Sequence, residues 1–118
     1  MSCLFRSLAP AVDLKPEELR EVITKYLSTN PTLIDDIKVN DIIEWNGEGS
    51  LDSYIKKMGR SAWGGCIEIR AFCKLFNMDV MIHFKQNIIE VNCGGKPVKV
   101  VHIRYTGSHY DPLYIRIS

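Results

Sequence analysis

The 118-residue chain has no apolar run approaching the roughly 20 residues that a helix needs to cross a bilayer, no internal repeat and no low-complexity tract. It also lacks a charge excess of either sign, with a formal net charge of +1. The basic surplus by which nucleic-acid modules usually declare themselves is therefore missing, and no nucleic-acid partner is expected. Histidine is scarce, with only His83, His102 and His109, and none of the four cysteines (Cys3, Cys66, Cys73, Cys93) is spaced Cys-x-x-Cys. That pattern argues against a zinc site. No secretory leader is recognised, and a chain of this length builds a core without disulfide staples. Reduced cysteines and a cytoplasmic setting are expected.

What is present is an ordinary globular composition, 46% apolar and 25% charged, sized for a single domain spanning residues 1–118. Acidic residues gather in the first half, from Asp13 through Glu17, Glu18 and Glu21 to Asp52, and the last part leans basic. This reads as solvated helix faces, with recruitment of a basic partner as the alternative.

Periodicity divides the chain in two. A short helix is predicted from Cys3 to about Ala9 or Ala11, and a longer one over 15–28, where Pro16 suits the first turn and Leu19, Val22, Ile23, Tyr26 and Leu27 form one stripe. Residues 32–45 read as one or two short helices, with Trp45 in the core or, as the alternative, facing a partner. Ser50 caps a helix over 51–58, and Trp63-Gly64-Gly65 opens another over 66–76. From Asp79 the pattern changes to β-branched and aromatic runs over 80–84, 88–91, 98–105 and 110–117, separated by turn residues. Helices followed by strands give an α+β class, with N-terminal helices packed on a small, mainly antiparallel C-terminal sheet. His83 and His102, inside strands, read as satisfied core or edge residues.

The chemistry-bearing stretch is Tyr105-Thr106-Gly107-Ser108-His109-Tyr110-Asp111-Pro112-Leu113. In an extended segment side chains two apart share a face, so Asp111 can accept a hydrogen bond from one nitrogen of His109 and leave the other free as a base. The missing nucleophile is available at the opposite end. Cys3 stands at a helix start, where exposed N–H groups favour an anion and a thiol ionises more readily. Read alone, Cys3 fits a small buried apolar residue better than a nucleophile. Gly107 is equally well a turn glycine or part of a narrow cleft with Ser108.

Three blocks carry a family resemblance. Cys-Leu-Phe-Arg-Ser-Leu-Ala at 3–9, Trp-Gly-Gly with a glutamate at 63–65 and 68, and His-Ile-Arg-Tyr-Thr-Gly-Ser-His-Tyr-Asp-Pro-Leu at 102–113 resemble, in order, the signature blocks of the ovarian-tumour (OTU) cysteine proteases. The resemblance implies a papain-type cysteine protease fold and a Cys3, His109, Asp111 triad. The implied reaction is hydrolysis of isopeptide bonds at the C-terminus of ubiquitin or a ubiquitin-like modifier, by a monomer with no metal or cofactor. It places Gly107, Ser108 and Trp63 beside the substrate cleft, and gives Glu68 a hydrogen-bonding role in holding loops.

One block departs from the family. Where OTU enzymes carry Asp-Gly-x ahead of the nucleophile, with N–H groups that help build an oxyanion hole, this sequence has Met1-Ser2. Either the N–H groups of Cys3 and its neighbours serve instead, or residues ahead of Met1 do, or the domain is a catalytically impaired ubiquitin-binding or scaffold module.

Overall fold

The computed structural model describes residues 3–60, 62 and 64–113. Helix α1 (Cys3–Leu8) continues into a tight 3-10 turn at Ala9–Val12, followed by α2 (Pro16–Ser28). A two-stranded ribbon, β1 (Thr32–Ile34) and β2 (Ile37–Lys38), precedes α3 (Val39–Trp45), α4 (Leu51–Arg60) and α5 (Cys66–Phe76). Strands β3 (Met78–Phe84), β4 (Asn87–Val91), β5 (Lys99–Tyr105) and β6 (Tyr110–Pro112) complete the α+β fold.

The four C-terminal strands form one sheet in the order β4-β3-β5-β6. The β3–β4 and β5–β6 ladders are antiparallel, and the central β3–β5 ladder is parallel. The sheet is thus mainly antiparallel with a parallel centre, because the chain leaves β4 and returns on the far side of β3.

Alternation sorts the strands. Val80 and Ile82 on β3, Val91 on β4, and Val101 and Ile103 on β5 turn toward the helices and are buried. Leu4, Phe5 and Leu8 of α1, Leu19, Ile23 and Leu27 of α2, and Ile69 and Phe72 of α5 meet them in one core. At about 25 cal/mol per Å² of apolar area, each such side chain contributes about 1.5–3 kcal/mol.

Helix boundaries follow local chemistry. Pro16 fits the first turn of α2, and the Lys15 N–H donates to Glu18 Oε1 at 2.9 Å. Helix α5 ends at Asn77, whose left-handed backbone (φ 55°) is tolerated by asparagine.

Two expectations need correction. Residues 32–38 form the ribbon rather than helix, because the Asn30-Pro31 break and the left-handed Asp35 (φ 50°) turn the chain back on itself before α3 starts. Trp45 is 70% exposed, not core, because Val39, Ile42 and Ile43 already supply the buried face of the short α3. The second half of the strand predicted over 110–117 falls outside the described residues.

Candidate active site

Strand β6 is returned to β5 by the turn Thr106-Gly107-Ser108-His109. The Thr106 N–H donates to the His109 carbonyl at 2.9 Å, and the His109 N–H donates to Thr106 Oγ1 at 3.1 Å. This closure fixes the register, with Tyr105 opposite Tyr110 and Arg104 opposite Asp111. Tyr105 and Tyr110 stack on the core side of the hairpin with ring centroids 4.7 Å apart, so their strand neighbours Arg104 and Asp111 turn to the outer face.

There His109 Nε2 lies 3.0 Å from Asp111 Oδ1, and Arg104 Nη2 donates to Asp111 Oδ2, also at 3.0 Å. The two carboxylate oxygens thus have separate partners. Asp111 is held below the usual carboxylate range, first by the Arg104 hydrogen bond; desolvation opposes this next, and the His109 and Arg104 charges add to the lowering. With Nε2 turned to Asp111, the other ring nitrogen, Nδ1, points away from the carboxylate. The side chains are 52% exposed at His109 and 32% at Asp111, so the pair is open to a substrate.

Helix α1 packs against β6, which brings the element that starts at Cys3 beside the strand carrying Asp111. Leu4, Phe5 and Leu8 anchor its inner side, and Ser7 Oγ donates to the Cys3 carbonyl at 2.8 Å. Cys3 itself is partly exposed. Among the described residues no hydrogen bond joins the Cys3 thiol to the His109 ring. His109 and Asp111 are therefore in direct contact on the outer face of β6, opposite Tyr110, whereas Cys3 stands on the helix packed against that strand and does not bond to them. The other thiols differ in setting. Burial pushes Cys73 up to about 12, Cys93 is buried, and Cys66 is exposed at the start of α5.

The segment before α5 abuts α1. A Cβ on Gly64 would lie 2.7 Å from Leu4 Cδ2 and 3.2 Å from Phe5 Cε2, so any side chain here would force α1 to shift. Glu68, 1% exposed, holds the segment from below. Its Oε1 accepts the Gly65 N–H at 2.7 Å, and its Oε2 accepts the Tyr54 hydroxyl at 2.5 Å. Burial pushes the Glu68 carboxyl up, the two hydrogen bonds oppose that shift, and the Glu48 charge adds to it. The expected loop-holding role matches this geometry. Trp63 lies outside the described residues.

Gly107 has φ +105° and its carbonyl accepts the Tyr105 hydroxyl at 2.8 Å, so the turn itself accounts for glycine here. Ser108 is exposed beside it at the tip of the turn. His83 Nε2 and His102 Nδ1 are 3.0 Å apart and satisfy one another. No group of three or more potential metal ligands is found among the described residues.

Sequence reasoning missed two arginines. Arg104 becomes Asp111's partner only through the hairpin register. Arg20, buried on α2, donates to the Met58 and Ala62 carbonyls at 2.8 Å each and lies 4.5 Å over the Phe5 ring, linking the end of α4 to α1. A charged residue on the inner side of the α2 stripe was the available signal.

Comparison with known proteins found no matching family model. The chain is 31% identical over 114 residues to otu1 of Schizosaccharomyces pombe, covering 93% of this chain and 32% of that protein. It is 25% identical over 120 residues to Ubiquitin thioesterase Otu1 of Drosophila melanogaster, covering 99% and 34%. The chain thus spans about a third of the length of these curated relatives. Among solved structures it resembles the OTU domain of OTUD1, with TM-score 0.75, 18% identity, and 97% and 79% of the two chains covered. An OTU domain solved in complex with ubiquitin gives 0.72 and 24%, with 94% and 62% covered. The viral OTU domain protease of Dera Ghazi Khan virus gives 0.68 and 15%, with 94% and 72% covered.

Proposed function

We propose that this chain is an OTU-type domain acting as a thiol-dependent deubiquitinase, in which Cys3, His109 and Asp111 act together on isopeptide bonds to ubiquitin or a ubiquitin-like modifier. The observation that carries this reading is the His109–Asp111 contact at 3.0 Å on a hairpin against which the Cys3 helix packs. The likeness to ubiquitin thioesterases and to an OTU domain bound to ubiquitin supplies the substrate class.

In the proposed reaction His109 Nδ1 takes the Cys3 proton and the sulfur attacks the carbonyl carbon of the modifier's C-terminal residue. The tetrahedral intermediate collapses as the imidazolium gives its proton to the departing lysine amine, leaving a thioester on Cys3. Water, losing a proton to His109, then attacks the thioester. It releases the modifier's carboxylate and restores the thiol. Asp111 orients the imidazole and favours its charged form. Gly107, Ser108 and Trp63 are assigned to the walls of the modifier's C-terminal tail channel. No cofactor enters any step, the working unit is a monomer, and the free thiols suit a reducing cytoplasm.

The test is cleavage of lysine-linked diubiquitin followed by gel. Wild-type protein should cleave it, and Cys3→Ala should lose at least about a thousand-fold in rate while still binding ubiquitin. A second reading, a ubiquitin-binding module without catalysis, is favoured by the unbonded Cys3 thiol and predicts binding with no cleavage by either form.

A further inference from the structure

We propose that Arg104 is a positioning residue for the catalytic pair, clamping Asp111 so that its other oxygen stays aimed at His109. The inference rests on the proposed thiol chemistry and adds a fourth member to it. A carboxylate with one partner can turn about its terminal torsion, but one held at both oxygens has its plane set. Arg104 Nη2 takes Oδ2 and His109 Nε2 takes Oδ1, both at 3.0 Å.

The backbone makes the clamp reproducible. Arg104 and Asp111 are direct cross-strand partners on β5 and β6, held in register by the closed Thr106–His109 turn. Side chains directly opposite in an antiparallel pair point to the same face. The neighbouring charge-bearing groups are otherwise engaged. His83, opposite Arg104 on β3, pairs with His102. The planar, permanently charged guanidinium suits a carboxylate better than a lysine would. Arg104 and Asp111 are 58% and 32% exposed, so the clamp acts on geometry and protonation rather than on folding.

The test uses wild-type protein, Arg104→Gln and Arg104→Lys. The Asp111 carboxyl is followed by carbon-detected NMR titration, and the rate of reaction with a ubiquitin bearing a C-terminal electrophile is measured from pH 4 to 8. In Arg104→Gln the Asp111 midpoint should rise toward its ordinary value of about 4. The acid limb of the labelling profile should rise with it. Labelling at pH 7 should slow about two- to five-fold, the range an exposed ion pair supports. The loss should fall on the maximal rate rather than on probe affinity, with Arg104→Lys restoring part of it. An unchanged Asp111 midpoint and an unchanged profile in Arg104→Gln would overturn the proposal. If wild-type protein is not labelled at all, the thiol-protease reading falls by itself. A rise in the Asp111 midpoint in Arg104→Gln would then still establish the clamp.

Discussion

Removing the Glu68 carboxylate should show that this buried group holds the α5 entry by hydrogen bonding and not by charge. It accepts from two donors, the part-buried Gly65 N–H at 2.7 Å and the hydroxyl of buried Tyr54 at 2.5 Å. Glu68→Ala leaves both unpaired, at about 1–3 kcal/mol each, with some relief if water enters the space. The expected net loss is about 3 kcal/mol. With a urea slope of about 1.5 kcal/mol per molar, the unfolding midpoint at pH 7 should fall by about 2 M. Glu68→Gln keeps an acceptor for Gly65 and offers an N–H to the Tyr54 oxygen, so it should stay within about 1 kcal/mol of wild type.

The pH dependence separates the two explanations further. Burial raises the Glu68 carboxyl, so the folded protein binds this proton more tightly than the unfolded chain does. The stabilisation from this proton is fully present below the unfolded value of about 4.3 and is lost as pH rises through the folded one. Glutamine does not titrate, so Glu68→Gln should gain on wild type as pH rises from 4 to 7. Urea melts followed by circular dichroism at pH 4, 5.5 and 7 measure this directly. If Glu68→Gln is as unstable as Glu68→Ala at pH 7, the negative charge itself is required and the hydrogen-bond account is wrong.

Other perturbations address the same architecture. Gly64→Ala places a methyl 2.7 Å from Leu4 Cδ2 and should cost about 1–3 kcal/mol by urea melt, with slower ubiquitin-probe labelling because α1 must shift. Arg20→Met, which leaves the Met58 and Ala62 carbonyls without their charged donor, should cost about 2–4 kcal/mol by the same assay. Cys3→Ala should abolish labelling with the unfolding midpoint nearly unchanged. Asp111→Asn should slow labelling about ten- to a hundred-fold, less than loss of the nucleophile, because an orienting residue contributes less than the attacking atom.

The helical half was readable where apolar periodicity was strong, as in α2 and α5, and misread where it was short. Residues 32–38 are rich in isoleucine and aspartate, and a three-residue strand against a two-residue strand leaves too few positions for a period of two to show. The parallel β3–β5 pairing was equally hidden, since strand order depends on how the connection crosses and not on composition. The His109–Asp111 pair could be anticipated because two-residue alternation in an extended segment is local geometry. Arg104 could not. Its partnership with Asp111 exists only once the length of the turn sets which residues face each other across the hairpin. Trp45 had no sequence signal separating an exposed indole from a buried one.

The reading of this domain depends on Cys3 being the atom that meets the modifier. Peptide mass spectrometry after reaction with a ubiquitin carrying a C-terminal electrophile tests that most directly. The account predicts one adduct, on the peptide containing Cys3, lost in His109→Ala and leaving Cys66, Cys73 and Cys93 unmodified. An adduct on exposed Cys66, or none while ubiquitin binds, would contradict it.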